Sequence, residues 1–465
     1  MNWLIQSLQM NIFSRQSVLI LLLGATISFN SKAQNPIVQT IYTADPAPIV
    51  HNDTLFLYTG HDEDRSTWFV MKDWRCYSTT DMVNWTDRGS PLSVETFSWA
   101  NKDAWAGQCI FRNGKFYWYV PLNQSNGKGM AIGVAVSTNP AGPFSDAIGK
   151  PLVHSGNGDI DPTVFIDDDG QAYLYWGNPY LKYVKLNEDM TSYSGEVITV
   201  PLNKEGFHVR FKDIDKRPSA YEEGPWLYKR KALYYLLYAA GGVPEHLAYS
   251  TASTATGPWT YRDTIMTVIN KGGAFTNHPG LVDYKGKSYM FYHNGALPGG
   301  GGFNRSVCVE ECQFNDDGTI VRMDPSSGIK NAAENLNPFK RVEAETIAWG
   351  QGVETVTNEQ VGVYVSDLNN GDHIKVRSVD FGKGASSFEA NVATTTSGGG
   401  IEIRLDSLTG TLIGKLDIKA TGGWQNWKNQ TAKVSRTKGI HDVFFVFKGP
   451  ENNLFNFNWW KFSKL

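Results

Sequence analysis

The sequence predicts an all-β protein in two parts, a five-bladed β-propeller followed by a β-sandwich of the jelly-roll kind. Three observations carry that prediction. The first is a phrase written five times: a polar or acidic opening with proline or glycine, a short apolar strand, a turn, then an aromatic strand. Its openings are Asp45-Pro46, Trp105-Ala-Gly107, Asp161-Pro162, Glu223-Gly-Pro225 and His278-Pro279. They stand about 55 to 62 residues apart, which is the spacing of an internal repeat. The second is a phrase interlocked with the first, YSTTDMVNW ending at Trp85, AVSTNPAGPF ending at Phe144 and AYSTASTATGPW ending at Trp259. Each reads as a third strand, a turn and an aromatic residue. Units of several short strands repeated at one period make a propeller. The third is a change of texture after a polar, proline-bounded segment that begins at Asp324.

Taken in order, residues 1–33 read as a secretory signal peptide. Arg15 supplies the basic flank, Ser17–Ile27 the apolar core and Ser31-Lys-Ala33 the small-residue cleavage site; Met10 is an alternative start. The run is too short to cross a bilayer comfortably, so the mature chain is expected to be exported, secreted or periplasmic. Residues 34–325 form the propeller. In blade four, Lys229-Arg-Lys231 replaces the glycine-containing turn, so a looser hairpin is expected there. Pro298-Gly-Gly-Gly-Gly302 follows the inner hairpin of blade five and is a candidate rim of the central pocket. Residues 326–338 are the expected linker. From 339 to 465 the chain alternates like half-buried strands, as in Gly400–Leu405, His441–Phe447 and Phe455–Phe462, the pattern of a sandwich.

Composition excludes several classes. The net charge is −3, with both signs interspersed, and nucleic-acid binding would need a basic face. No apolar run after the N-terminal one is long enough for a membrane span. Aromatic residues make up 13% of the chain, with 15 Trp, and sugar rings stack on such faces. Four cysteines remain. Cys308 and Cys312 sit four residues apart in an expected strand, about 13 Å and too far for a bond. Cys76 and Cys109 fall in neighbouring blades and could meet there, a pairing that sequence does not establish. Without metal-like Cys/His spacing, all four read as free, buried thiols.

The function follows from where a propeller puts its repeats. Innermost strands run beside the central channel, so residues at the openings gather around one axis. Asp45, Asp161 and Glu223 would then converge, and three carboxylates in one pocket are a site for acid–base chemistry. A structural reading exists for each Asp-Pro, as a turn cap at a strand start. Trp105 and His278 occupy the other two openings; Trp105 reads either as a stacking platform for a sugar or as a core tryptophan. Strand alternation sends Glu222 away from the side that Glu223 faces.

Over residues 36–323 the chain resembles glycoside hydrolase family 43, through ADPAP, GDIDPTVF and EGPWLYK, each with an aromatic strand behind it. The resemblance implies hydrolysis with inversion at the anomeric carbon, with no cofactor for the chemistry. It implies Asp45 as general base, Glu223 as general acid and Asp161 as the residue that orients the acid and raises its pKa. Inversion places base and acid about 6.5–9.5 Å apart, leaving room for a water. Arg305, in GFNRS, resembles the arginine that contacts glycone hydroxyls, a surface arginine being the alternative. His278 is expected to reach the channel, near a bound cation or water cluster.

Residues 339–465 resemble carbohydrate-binding module family 6 through VEAE, Gly371-Asp372, VDFG, Gly422-Gly-Trp424 and NFNWW. The resemblance implies a sugar site at Tyr364, Trp424 and Asn456. It also implies a structural calcium on Glu343, Glu345 and Asn458, with Asn458 standing where an aspartate is common and His373 where an aromatic often follows Gly-Asp. The expected substrate is plant cell-wall polysaccharide, and the foremost activity that of an α-L-arabinofuranosidase on arabinoxylan. A β-xylosidase, or an enzyme cleaving xylan or arabinan, is the alternative within the family. A catalytically silent, sugar-binding propeller is the alternative from another class.

Overall fold

Each opening phrase becomes the start of a separate antiparallel sheet in the computed structural model, which describes residues 35–210, 217–269, 272–450 and 452–465. The expected signal peptide lies outside the described residues. Blade one comprises Thr43–His51, Thr54–His61, Asp73–Thr79 and Trp85–Asp87, and blade two Gln108–Arg112, Lys115–Gln124, Met130–Ser137 and Ser145–Asp146. Blade three comprises Thr163–Ile166, Ala172–Trp176, Lys182–Leu186 and Tyr193–Thr199, and blade four Tyr221–Arg230, Leu233–Ala240, His246–Ala252 and Thr260–Met266. Blade five has three strands, Gly280–Tyr284, Lys287–Asn294 and Ser306–Cys312. The five first strands touch in the order one, two, three, four, five and back to one. That closed ring is the propeller.

The second strand of each blade lies between neighbouring blades and is covered on both faces. This explains why Lys115–Gln124 and Leu233–Ala240 read as nearly continuous aromatic and apolar runs rather than alternating ones. Tyr58, Trp118, Tyr119, Trp176 and Tyr238 are fully buried there. Each such ring contributes roughly 2–3 kcal/mol through burial.

Turn chemistry follows the sequence at blades one, two and five, where Asn52-Asp53, Asn113-Gly114 and Lys285-Gly286 take positive φ at both central positions of two-residue hairpins. Such turns match the twist of the strands they join. Blade four corrects the expectation of a looser hairpin. Arg230 pairs directly with Leu233 across a two-residue turn, with Lys231 at φ 55° in place of glycine. The chain's N-terminal segment closes the ring along the last strand of blade five, Ile37 N–H donating to Val307 O (2.9 Å) and Val309 N–H to Asn35 Oδ1 (3.0 Å). Only one helical turn, Lys204–Phe207, and one 3-10 turn, Val94–Thr96, interrupt the β structure among the described residues. All four cysteines are buried and unbonded to one another.

The C-terminal part is a curled sheet closed into a sandwich over Phe388, Phe445, Phe457, Trp460 and Phe462. Its long strand Gly423–Thr437 pairs with Ala385–Thr394 and, through Val434, with Leu412–Asp417. The sandwich is not free of the propeller. Thr346–Ile347 pairs with Trp85–Asp87 and extends the sheet of blade one. Asn84 imitates a strand partner of Arg377, donating to its carbonyl (2.9 Å) and accepting from its N–H (2.8 Å). Thr355 Oγ1 donates to Asp87 Oδ2 (2.7 Å). The segment expected as a linker is held at both ends, through Ser326 on Glu310 and Leu336 on Ser378 and Asp380.

Candidate active site

The strand openings of blades one and three share a backbone device. Asp45 and Asp161 each precede a proline and each sit at positive φ, 54° and 56°. An L-residue reaches that region at a cost that Asp and Asn bear best. In blade one the strand register breaks between Ala44 and Ala47 to admit it. The matching pre-proline place in blade four is Gly224, at φ 59°. Glu223 therefore stands one residue before the position of the two aspartates, a refinement of the sequence alignment of the openings. The reason is the fifth opening: the His278 ring packs on Gly224, and a Cβ there would lie 2.9 Å from Nδ1. The histidine occupies the space, and the carboxylate comes from the preceding residue.

Asp45 is 7% exposed and sits among charges. Arg305 Nη1 donates to its Oδ1 (3.0 Å), while Arg305 Nε and Nη2 grip both oxygens of buried Asp62 at 2.9 Å. Arg305 is thus a buried two-carboxylate clamp and not a surface residue, with its guanidinium over the Phe69 ring at 5.1 Å. The Asp45 N–H donates to His293 Nδ1 (3.2 Å), and His293 Nε2 lies 2.9 Å from Thr276 O, which fixes the neutral tautomer. Burial raises the Asp45 carboxyl to about 6; Arg305 opposes the rise and Asp62 adds to it. Asp62 and His293 escaped the sequence reading because neither stands at a strand opening, and only the fold brings them to Asp45.

Asp161 accepts from Gly224 N–H (3.0 Å), so it holds the turn that presents Glu223. Burial raises it well above the ordinary carboxylate range, and the charges of Glu223 and Asp45 raise it further. Glu223 is also raised, first by burial, with an opposing hydrogen bond from Asn178 and repulsion from Glu222 and Asp45. Asn178 is held in turn by Arg217 Nη2 (2.9 Å). Glu222 points elsewhere, as alternation requires, and is paired with Arg210 and with Arg217 at 2.9 Å. His278 is buried and lowered to about 3, by desolvation and then by the charge of Arg305. It is a neutral imidazole at all working pH values.

Beside this cluster lies a cleft of about 870 Å³, walled by Trp68, Phe69, Met71, Ser93, Asp103 and Trp105 among others. It adjoins the acids through Phe69 and Met71, both in contact with Arg305. Trp68 is 59% exposed and packs on Phe69 and Phe303, the latter just beyond the glycine-rich rim. Trp105 lines the cleft with its indole N–H donating to Phe69 O (3.0 Å). Among the described residues, His61, Glu63 and Asp73 form the one group of His, Cys, Asp or Glu close enough to share a metal ion. All three of its members are already engaged, Asp73 with His61 (2.7 Å) and Glu63 with Lys72 (2.9 Å).

In the sandwich, Trp424 is 37% exposed, while Tyr364 is buried against Trp427 and its hydroxyl accepts from Gln425 Nε2 (3.1 Å). Asn456 is buried, its amide donating to Trp424 O (2.8 Å). Glu343 pairs with Arg341 (2.7 Å), and Glu345 is buried at the seam with the propeller. Glu345 Oε2 and Asn458 Oδ1 are buried without a hydrogen-bond partner. His373, in the place where an aromatic was looked for, is buried in its strand.

A closed five-bladed ring with a buried carboxyl cluster beside an aromatic cleft, joined to a β-sandwich, defines a carbohydrate-processing enzyme. The comparisons agree. Residues 33–320 match the glycosyl hydrolases family 43, and residues 343–464 the carbohydrate binding module (family 6). The chain belongs to glycosyl hydrolase family 43. It is 33% identical to the arabinoxylan arabinofuranohydrolase of Bacillus subtilis (strain 168) over 515 aligned positions, covering 95% of this chain and 94% of that one. A solved structure of a Bacillus subtilis family 43 arabinoxylan arabinofuranohydrolase, in complex with cellotetraose, superposes with a TM-score of 0.80 at 32% identity, over 93% of this chain and 98% of the other. A xylosidase/arabinosidase of Bacteroides ovatus is 32% identical over 61% of this chain and 95% of its own.

Proposed function

We propose that the protein is an inverting α-L-arabinofuranosidase that removes arabinose side chains from arabinoxylan. The observation that carries the reading is the unequal setting of two buried carboxyls. Asp45 rests on a guanidinium that favours its ionised form, whereas Glu223 has carboxylates for neighbours and favours its proton. A base and an acid are thereby separated at one pH. Asp45 takes a proton from water as the water oxygen bonds to the anomeric carbon. Glu223 gives its proton to the leaving oxygen as the glycosidic bond breaks. Asp161, through Gly224 N–H, holds the acid in place, and repulsion between the two buried carboxyls retains a proton on the pair. Both proton carriers are side chains of this chain, so the step calls for no cofactor.

The cleft beside Trp68 and Trp105 suits the polymer main chain, with the acid pocket receiving the substituent. Similarity along nearly the whole chain to an arabinoxylan arabinofuranohydrolase supports that division. The sandwich is read as a sugar-binding module with its platform at Trp424. Glu343, Glu345 and Asn458 are read as its structural calcium ligands, and the two orphaned buried oxygens supply the hard donors that calcium prefers. A cell-wall substrate and the basic-then-apolar N-terminal stretch together support export.

The test is product analysis on arabinoxylan with the wild-type chain and Glu223→Gln. Free arabinose over an intact xylan main chain, lost in the variant, is expected. Xylose or xylo-oligosaccharides would move the substrate to the main chain itself. No product from arabinoxylan or arabinan would overturn the enzymatic reading in favour of a binding propeller.

A further inference from the structure

Glu222 and Glu223 are adjacent in the chain, and the strand sends them to opposite sides. Glu223 faces the site and Glu222 faces away, yet side chains join the two again. Arg217 Nη1 donates to Glu222 O (3.3 Å), and its Nη2 lies 2.9 Å from Glu222 Oε1. The same Nη2 donates to Asn178 Oδ1 (2.9 Å), and Asn178 Nδ2 donates to Glu223 Oε2. Glu222, Arg217, Asn178 and Glu223 thus form a closed loop. It leaves blade four, crosses to the end of the second strand of blade three and returns to the acid.

Asn178 is pinned at its backbone. Its N–H donates to Gly158 O (3.1 Å), and a Cβ on Gly158 would stand 2.0 Å from Asn178 O. The preceding Gly177 sits at φ 121°, donates its N–H to Ile160 O (2.9 Å) and accepts from the Tyr221 hydroxyl (2.7 Å). Gly177-Asn178 is thereby held against the opening that carries Asp161 and against the strand that carries Glu223. The orientation of the amide follows from its neighbours. A guanidinium has only donors, so the Asn178 atom towards Arg217 is the oxygen and the atom towards Glu223 is the nitrogen. A carboxyl accepts an N–H best at its carbonyl oxygen, so a protonated Glu223 carries its proton on Oε1.

We propose that Asn178, oriented by Arg217, is a positioning residue for the general acid: its amide fixes the Glu223 carboxyl and reserves Oε1 for the proton that goes to the leaving oxygen. The inference rests on the reading of Glu223 as the acid. Electrostatics agree in direction. Burial raises the Glu223 carboxyl first, and the Asn178 bond is the largest influence against that rise, with the charge of Arg217 acting in the same sense. The other charged or titratable groups facing Glu223 are the carboxyls of Asp45, Asp161, Glu222 and Glu245, the guanidinium of Arg305, the phenol of Tyr221 and the His278 ring on Gly224.

Asn178→Leu keeps the approximate volume and removes the donor. The bond favours the ionised carboxyl, so its loss lets the acid hold its proton to higher pH. The alkaline limb of kcat/KM on an arabinoxylan oligosaccharide is expected to move up by about one pH unit. With the carboxyl no longer held, kcat is expected to fall roughly 100-fold with KM little changed. On an aryl arabinofuranoside whose leaving group needs no proton, the fall is expected to be much smaller. Arg217→Met leaves Asn178 in place but frees its amide, and is expected to move both readouts the same way by less. Arg217→Lys, which keeps a donor for Asn178 Oδ1, is expected to return most of the way to wild type. An alkaline limb that stays or falls in Asn178→Leu would overturn the proposal. So would equal losses on the two substrates, which is what a general loosening of the site gives. Should Asn178→Leu not fold, the Met and Lys variants of Arg217 decide, and identical pH profiles for those two would overturn the proposal. Should the wild-type chain release no sugar, the functional reading fails; should it release sugar with these readouts unmoved, only the role of Asn178 falls.

Discussion

Replacing Asp45 by asparagine is expected to abolish hydrolysis and, above neutral pH, to make the protein more stable. The residue sits at φ 54°, a region that asparagine tolerates as well as aspartate. The change therefore removes a charge and little else. Burial lifts the Asp45 carboxyl from its ordinary 3.8 to about 6. The folded state thus binds that proton more tightly than the unfolded chain does. The stabilisation this gives is complete below about pH 4 and lost as pH rises through about 6. At about 1.4 kcal/mol per pH unit, the wild type forfeits at most about 3 kcal/mol by pH 8. The variant avoids that loss, but Arg305 gives up an ionic partner and keeps Asp62 alone. A net gain of about 1–2 kcal/mol is expected. The assay is thermal unfolding of both chains across this pH range, alongside arabinose release. The melting temperatures should coincide below about pH 4, separate between about pH 4 and 6, and stay apart above. A variant less stable than wild type at pH 8, or a difference that ignores pH, would show that the Arg305 pair outweighs desolvation, and the argument would be refuted.

Two further changes address the clamp and the seam. Arg305→Lys is expected to lower stability by about 2–4 kcal/mol and remove activity, because an ammonium cannot grip Asp62 with two parallel bonds and still reach Asp45; chemical denaturation and kcat/KM measure both, and near-normal values would refute the clamp. A chain ending at residue 325 bares the outer strand of blade one, which the sandwich otherwise pairs through Thr346–Ile347. It is expected to melt lower or aggregate relative to the full chain, and an unchanged melting curve would show that the seam carries no stability.

Sequence alone determined the architecture, since a period in the pattern is a property of the chain itself. The five openings and the interlocked third-strand phrases placed the blades, and alternation after residue 339 marked the sandwich. Repetition also picked out Asp45, Asp161 and Glu223, because a ring turns equivalent positions into neighbours. What the period could not reveal is anything that enters the site from outside the repeat. Asp62 follows the second strand of blade one and His293 lies late in that of blade five, so no pattern distinguishes them from ordinary polar residues. The same holds for the offset of Glu223, which depends on the His278 ring filling the space at Gly224. It holds as well for the turn at Lys231, where strand pairing imposes a positive φ that glycine would ordinarily supply. Local pattern reports what the chain does along its length. Charge pairing, burial and steric exclusion act between segments as much as 260 residues apart, as with Asp45 and Arg305, and those only the tertiary structure decided.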